Sequence, residues 1–111
     1  METVSNAALL RIDESLYFAN ARYLEDTVYN LVASRPELEH VVLTGSAVNL
    51  IDASALESLD AINARLKDSD VKLHLSEVKG PVMDQLKKSD FLDALTGRVF
   101  LSTYAAWRQF S

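Results

Sequence analysis

Asp52, Ser54 and Glu57 lie close together where an apolar run gives way to a helical pattern. Ser54 and Glu57 have the S-x-x-E spacing of a capping box, in which each side chain accepts from a backbone N–H of the other at a helix start. A cap of this kind stabilises by ~1 kcal/mol and accounts for both residues with no further role. The same serine is placed to carry a phosphoryl group. A helix start offers unpaired N–H groups and the positive end of its dipole. A phosphate beside Asp52 and Glu57 would add close to two negative charges and alter any partner surface there. Upstream, Thr44, Gly45, Ser46 and Asn49 could line a regulatory or nucleotide-contact loop together with Asp52 and Ser54, at the carboxyl end of a strand. The loop lacks the Gly-x-x-x-x-Gly-Lys-Ser/Thr pattern and contains no lysine, so turn and cap chemistry is favoured. A nucleotide such as GTP or ATP would be held weakly at best.

No other constellation points to chemistry. His40 and His74 are the only histidines. His40 adjoins Glu39, and His74 falls on the polar side of an alternating strand, so both read as surface residues. No neighbouring pattern supplies a metal set or a nucleophile–base dyad. The chain has no cysteine, which excludes disulfides, thiolate catalysis and cysteine-bound metal. The expectation is a protein without catalytic residues, metal or resident cofactor, and not an enzyme.

The elements that would position the loop follow from apolar spacing. Residues 7–12 read as a short strand and residues 16–18 as a second, forming an antiparallel hairpin. Asn20 is placed as an N-cap for a helix whose inner face is Ala21, Leu24, Val28, Leu31 and Val32. Pro36 ends that helix near Ser34 or Arg35. Residues 40–44 form a continuous apolar run, expected as a central strand covered on both sides. After the loop, Ala55, Leu59, Ile62 and Leu66 mark a second helix. Residues 71–76 alternate as a strand, and Gly80-Pro81 opens a third helix with proline where its missing N–H costs nothing. Phe91, Leu92 and Leu95 form a further turn, residues 99–101 a last strand, and Ser102 or Thr103 caps a final helix. The fold class is α/β: one small domain over residues 7–110, with a mixed, mostly parallel sheet of about five strands flanked by four or so helices. Residues 1–6 carry no pattern and read as a loose leader or a fragment edge.

Bulk properties narrow the partners. A length of 111 residues suits one domain. A net charge of −5 argues against nucleic acid or anionic lipid, each of which requires a basic footprint. No apolar run reaches the ~20 residues of a membrane span, and the polar, acidic N-terminus does not read as a signal peptide. A soluble, cytosolic chain with no insertion of its own into the membrane is expected.

Three segments resemble one family. Leu16-Tyr17-Phe18-Ala19-Asn20-Ala21 is similar to the strand-to-helix junction of the STAS domain of bacterial sulfate-permease (SulP-type) anion transporters. Val48-Asn49-Leu50-Ile51-Asp52-Ala53-Ser54-Ala55-Leu56 resembles the Asp-x-Ser/Thr-Gly loop of that domain. Val78-Lys79-Gly80-Pro81-Val82-Met83-Asp84-Gln85-Leu86 resembles its approach to the third helix. The resemblance implies the STAS, or anti-sigma-factor-antagonist, fold. It also implies a regulatory domain on the cytoplasmic side of the bacterial inner membrane, following the membrane domain of the same transporter. Partners would be that membrane domain and cytosolic regulatory proteins, with a homo-oligomer arising through the full-length transporter. The alternative is a free-standing anti-sigma-factor antagonist switched by phosphorylation of the serine that matches Ser54. Ala55 stands where the motif has glycine; it suits a helix start and favours a docking surface over a phosphorylation site.

Overall fold

Ala21, Leu24, Val28 and Leu31 bury one stripe of a helix, and Ala55, Leu59, Ile62 and Leu66 bury another. Each large aliphatic side chain removed from water contributes roughly 1.5–3 kcal/mol, so packing outweighs any single cap in holding these helices. The computed structural model describes residues 2–4, 6–12 and 18–110. Its elements run β1 (Glu2–Val4), β2 (Ala7–Arg11), α1 (Phe18–Ser34), β3 (His40–Thr44), α2 (Ala53–Asp68), β4 (Lys72–Ser76), α3 (Gly80–Lys87), α4 (Phe91–Ala94), β5 (Val99–Phe100) and α5 (Thr103–Phe110).

The five strands lie in chain order across one sheet. β2 to β5 are parallel, and β1 pairs antiparallel with β2 at the edge. Parallel neighbours joined in sequence by right-handed crossovers place their connecting helices on one face. The core agrees: Val41, Leu43, Leu73 and Leu75 pack with residues of α1, α2, α3 and α4. Alternate strand residues point the other way, where Leu9, Val42 and Phe100 meet Ala106 and Trp107 of α5.

Three expectations need correction. Within residues 1–6, expected to carry no pattern, residues 2–4 and 6 are ordered by backbone pairing. Glu2–Val4 forms the edge strand, and the Asn6 carbonyl accepts from the Glu39 and His40 N–H groups at 2.8 and 3.1 Å. A short polar segment can pair along an edge through its backbone alone, which side-chain patterning does not reveal. The antiparallel partner of β2 is therefore β1. Phe18 belongs to α1, while Leu16 and Tyr17 lie outside the described residues. Asn20 is the third helical residue, not the cap. Phe18 stands three residues before Ala21, so the helical spacing extends back through it.

The end of α2 is a Schellman motif. The Val71 N–H reaches the Leu66 carbonyl at 2.8 Å and the Asp70 N–H reaches the Lys67 carbonyl at 3.0 Å. Asp70 takes the left-handed conformation at φ 60°. Val71 and Leu66 are both buried, completing the apolar contact that accompanies this motif.

Candidate functional site

The loop between β3 and α2 is built on two apolar anchors. Val48 and Ile51 are buried, while Ser46 and Asn49 are exposed and Leu50 is 57% exposed. The Gly45 N–H donates to the Ser76 carbonyl at 2.9 Å, and the Val48 N–H returns to the Gly45 carbonyl at 3.0 Å. The loop is thereby tied to the carboxyl end of β4 and turned back on itself. Beneath it, Ile12, Leu43, Gly45, Val48, Ile51 and Leu59 help enclose a wholly apolar cavity of about 30 Å³. That is the volume share of about one water, too small for a nucleobase.

Asp52, not Ser54, caps α2. Its Oδ1 accepts from the Ala55 N–H at 2.7 Å, and the Leu56 N–H bonds the Asp52 carbonyl at 3.0 Å. The expected Ser54–Glu57 capping box is not formed. With Asp52 at the cap, Ser54 is the second helical residue and Glu57 falls two residues beyond the capping-box position, which Ala55 occupies. A carboxylate at this position also complements the helix dipole. Ser54 is half-buried and Glu57 exposed. The methyl group of Ala55 is completely buried in the main core, so alanine fills space at the position of the motif's glycine.

The structure brings some of the sequence-selected residues together and separates others. Gly45, Ser46, Asn49, Asp52 and Ser54 share the loop and the first turn of α2. Thr44 is withdrawn from it: the residue is buried, and its hydroxyl lies 3.0 Å from that of Ser76. A cation that the loop's own sequence lacks arrives from elsewhere. Lys79 Nζ donates to Asn49 Oδ1 at 2.7 Å from the start of α3. Lys79 follows the neighbouring strand, and only the sheet order makes the two adjacent.

His74 is not a surface residue. Its exposure is 4%, because α5 covers the face that alternation alone assigns to solvent. His74 Nδ1 accepts from the Arg98 N–H at 2.9 Å. Its Nε2 lies 3.0 Å from His40 Nδ1. The first bond requires an unprotonated Nδ1, so neutral His74 carries its proton on Nε2 and donates to His40. Burial, reinforced by His40, Arg98 and Lys72, pushes His74 down to about 4. Burial also lowers His40, with Glu39 acting against it. Gly97 makes this approach feasible: a Cβ there would fall 2.3 Å from the Leu73 carbonyl oxygen and 2.4 Å from His74 Nδ1. The two histidines lie on one face of adjacent strands, offset by two residues in register, and pairing them required the strand order.

A profile for the STAS domain matches residues 1–106. The chain belongs to the STAS domain family. It is 31% identical to sulfate transporter 3.2 of Arabidopsis thaliana over 94% of its own length, and spans 18% of that relative. Thus this STAS domain corresponds to less than a fifth of the curated relative. The fold is shared with a sulfate transporter family protein from Wolinella succinogenes, with TM-score 0.77 and 22% identity over 93% of this chain and 83% of that one. It is also shared with an anti-sigma factor antagonist, described as putative, from Thermotoga maritima, with TM-score 0.82 and 17% identity over 98% and 91%. Among the described residues of this STAS domain, no helix is long and apolar enough to cross a membrane.

Proposed function

We propose that this STAS domain is the non-enzymatic regulatory module of a sulfate-permease-type anion transporter, acting on the cytoplasmic side of its membrane (the inner membrane in a bacterium). The β3–α2 loop and the first turn of α2 form its contact surface. The observation that carries this reading is the loop's division of labour. Buried Val48 and Ile51 fix the backbone, while Ser46, Asn49 and Leu50 face outward beside the Asp52-capped helix start. A rigid mount presenting an exposed leucine within a polar rim suits a protein contact better than a small-molecule cavity. The partners are the transporter's membrane domain and cytosolic regulatory proteins, with any homo-oligomer formed through the full-length transporter. Identity with a plant sulfate transporter over nearly the whole domain supports this reading over a free-standing antagonist.

Ser54 is the proposed regulatory site within that surface. Its removal from the capping role leaves its hydroxyl without a structural duty at the helix start. Phosphorylation would set a dianion beside Asp52, changing the contact by charge and hydration. GTP or ATP would act, if at this loop, as a surface ligand near Asn49 and Lys79. The test uses the full-length transporter that carries this domain. Leu50→Asp and Ser54→Glu are each expected to change the initial rate of sulfate uptake at unchanged surface expression. Uptake unaltered by both substitutions would remove the loop as the regulatory contact. Incubation with host kinases followed by mass analysis is expected to place phosphate on Ser54; an unmodified Ser54 would leave a docking surface without the switch.

A further inference from the structure

At the amino ends of β3 and β4, on the face covered by α5, we infer that the domain binds a small, doubly charged oxyanion of the sulfate or phosphate class. The site is a cavity of about 170 Å³ lined by His40, Lys72, His74, Thr96, Gly97, Arg98 and Gln109. It lies at the opposite end of the strands from the β3–α2 loop, so it stands apart from the regulatory contact.

Charge is the first argument. The chain carries 16 acidic against 11 basic residues, yet the ionisable groups lining this cavity are all basic. They comprise Lys72, Arg98 and both histidines of the chain. Among the described residues neither Lys72 nor Arg98 forms an ion pair; the one salt bridge found there joins Arg35 and Glu37. Arg98 is held over the ring of Phe100, with its guanidinium carbon 4.9 Å from the centroid. This contact orients the group without neutralising it. Glu39 is the carboxylate adjoining His40, and its Oε2 already accepts from Asn6 Nδ2 at 2.7 Å. Lys72 and Arg98, two cations with no ion pair among the described residues, converge beside the neutral histidines, and this pairing favours an anion over any metal ion.

Shape and rigidity are the second argument. The cavity wall is fixed by the His40–His74–Arg98 hydrogen-bond chain and by Thr96. The Thr96 hydroxyl accepts from the Leu73 N–H at 3.0 Å and lies 3.3 Å from Asn63 Oδ1. The volume corresponds to roughly five or six waters at ~30 Å³ each. That accommodates a tetrahedral oxyanion with part of its hydration, or the phosphate of a monoester whose organic part extends outward. Gln109 adds an amide donor from α5, so an occupied site would join α5 to the sheet edge.

The test is a titration of the whole 111-residue chain with sodium sulfate, inorganic phosphate and a phosphate monoester such as glycerol phosphate. Each is compared with sodium chloride at matched ionic strength and followed by amide NMR shifts. Saturable shifts at Lys72, His74, Gly97 and Arg98 are expected with an oxyanion and not with chloride. Tighter binding of the monoester would identify an organic phosphate as the ligand; equal or tighter sulfate would identify the inorganic ion. Lys72→Gln and Arg98→Gln, both on exposed side chains, are each expected to weaken binding about tenfold. Linear shifts shared with chloride, shifts centred on Ala53–Asp68, or affinity unchanged in both variants would overturn the proposal.

Discussion

Against α1 to α4, the sheet presents Val41, Leu43, Leu73 and Leu75 to a nearly unbroken aliphatic layer. Against α5 it presents Leu9, Val42 and Phe100 interleaved with Thr44, His74 and Ser76, all buried. The first face has one buried side-chain amide in its helices, and Asn63 spends it on structure. Its Nδ2 donates to the Ala94 carbonyl at 2.8 Å and its Oδ1 accepts from the Thr96 N–H at 3.2 Å. The second face carries connected polar pairs, with a half-open basic cavity at its edge. Dispersion and hydrophobic burial tolerate small shifts, whereas a buried hydrogen-bond chain loses a partner outright when one member moves. The face under α5 is thus where the protonation of a buried histidine and single close contacts bear on stability.

The sharpest way to break this contrast is Gly97→Ala. The added methyl has no room beside the Leu73 carbonyl and His74 Nδ1. A loss of about 3 kcal/mol is expected in urea unfolding, at the upper end of overpacking costs. Amide exchange should rise first at β5 and α5, while α1 and α2 stay protected. Equal loosening of both faces would show that the two are not separate in stability.

Acid should act on the same face. The folded protein favours neutral His74, held down to about 4, whereas an unfolded histidine titrates near 6.5. The contribution is complete above pH 6.5. As pH falls towards 4 the unfolded chain takes up the proton first, and stability declines by up to ~3 kcal/mol. Protonated His74 would also set an N–H against the Arg98 N–H. His74→Gln should flatten the decline between pH 6.5 and 4, measured by denaturant midpoints. A slope unchanged by that substitution would assign acid sensitivity to other groups.

The smallest effects distinguish cap from switch at the opposite end of the strands. Asp52→Ala should cost about 1 kcal/mol through loss of the bond to the Ala55 N–H. Ser54→Ala should change thermal stability by less than ~0.5 kcal/mol, as expected away from caps and core. A reversed order would return the cap to Ser54.

Helix stripes, the stop at Pro36, the β3 run and the proline opening of α3 were readable because each is a local matter of period or backbone restriction. The start of α2 was readable to within a residue, but its cap was not. Asp52 and Ser54 are both good capping residues, and only the backbone path decides which carboxylate or hydroxyl reaches a free N–H. Residues 2–4 escaped because an edge strand needs only backbone partners. Lys79 beside Asn49, and His40 beside His74, escaped because residues some 30 apart become neighbours through sheet order.

The sequence by itself determined the α/β alternation, the two main buried stripes and the family, through motif segments whose spacing is local. The tertiary structure decided where polarity went. Strand order set His40 against His74, α5 closed over a strand face that alternation had left to water, and the charges of Lys72 and Arg98 met around one cavity. The physical reason is that apolar periodicity is written along the chain, whereas hydrogen bonds and charge neighbourhoods are made between segments. That also refines Asp52 and Ser54: the first caps the helix, and the second is a half-buried residue of its first turn.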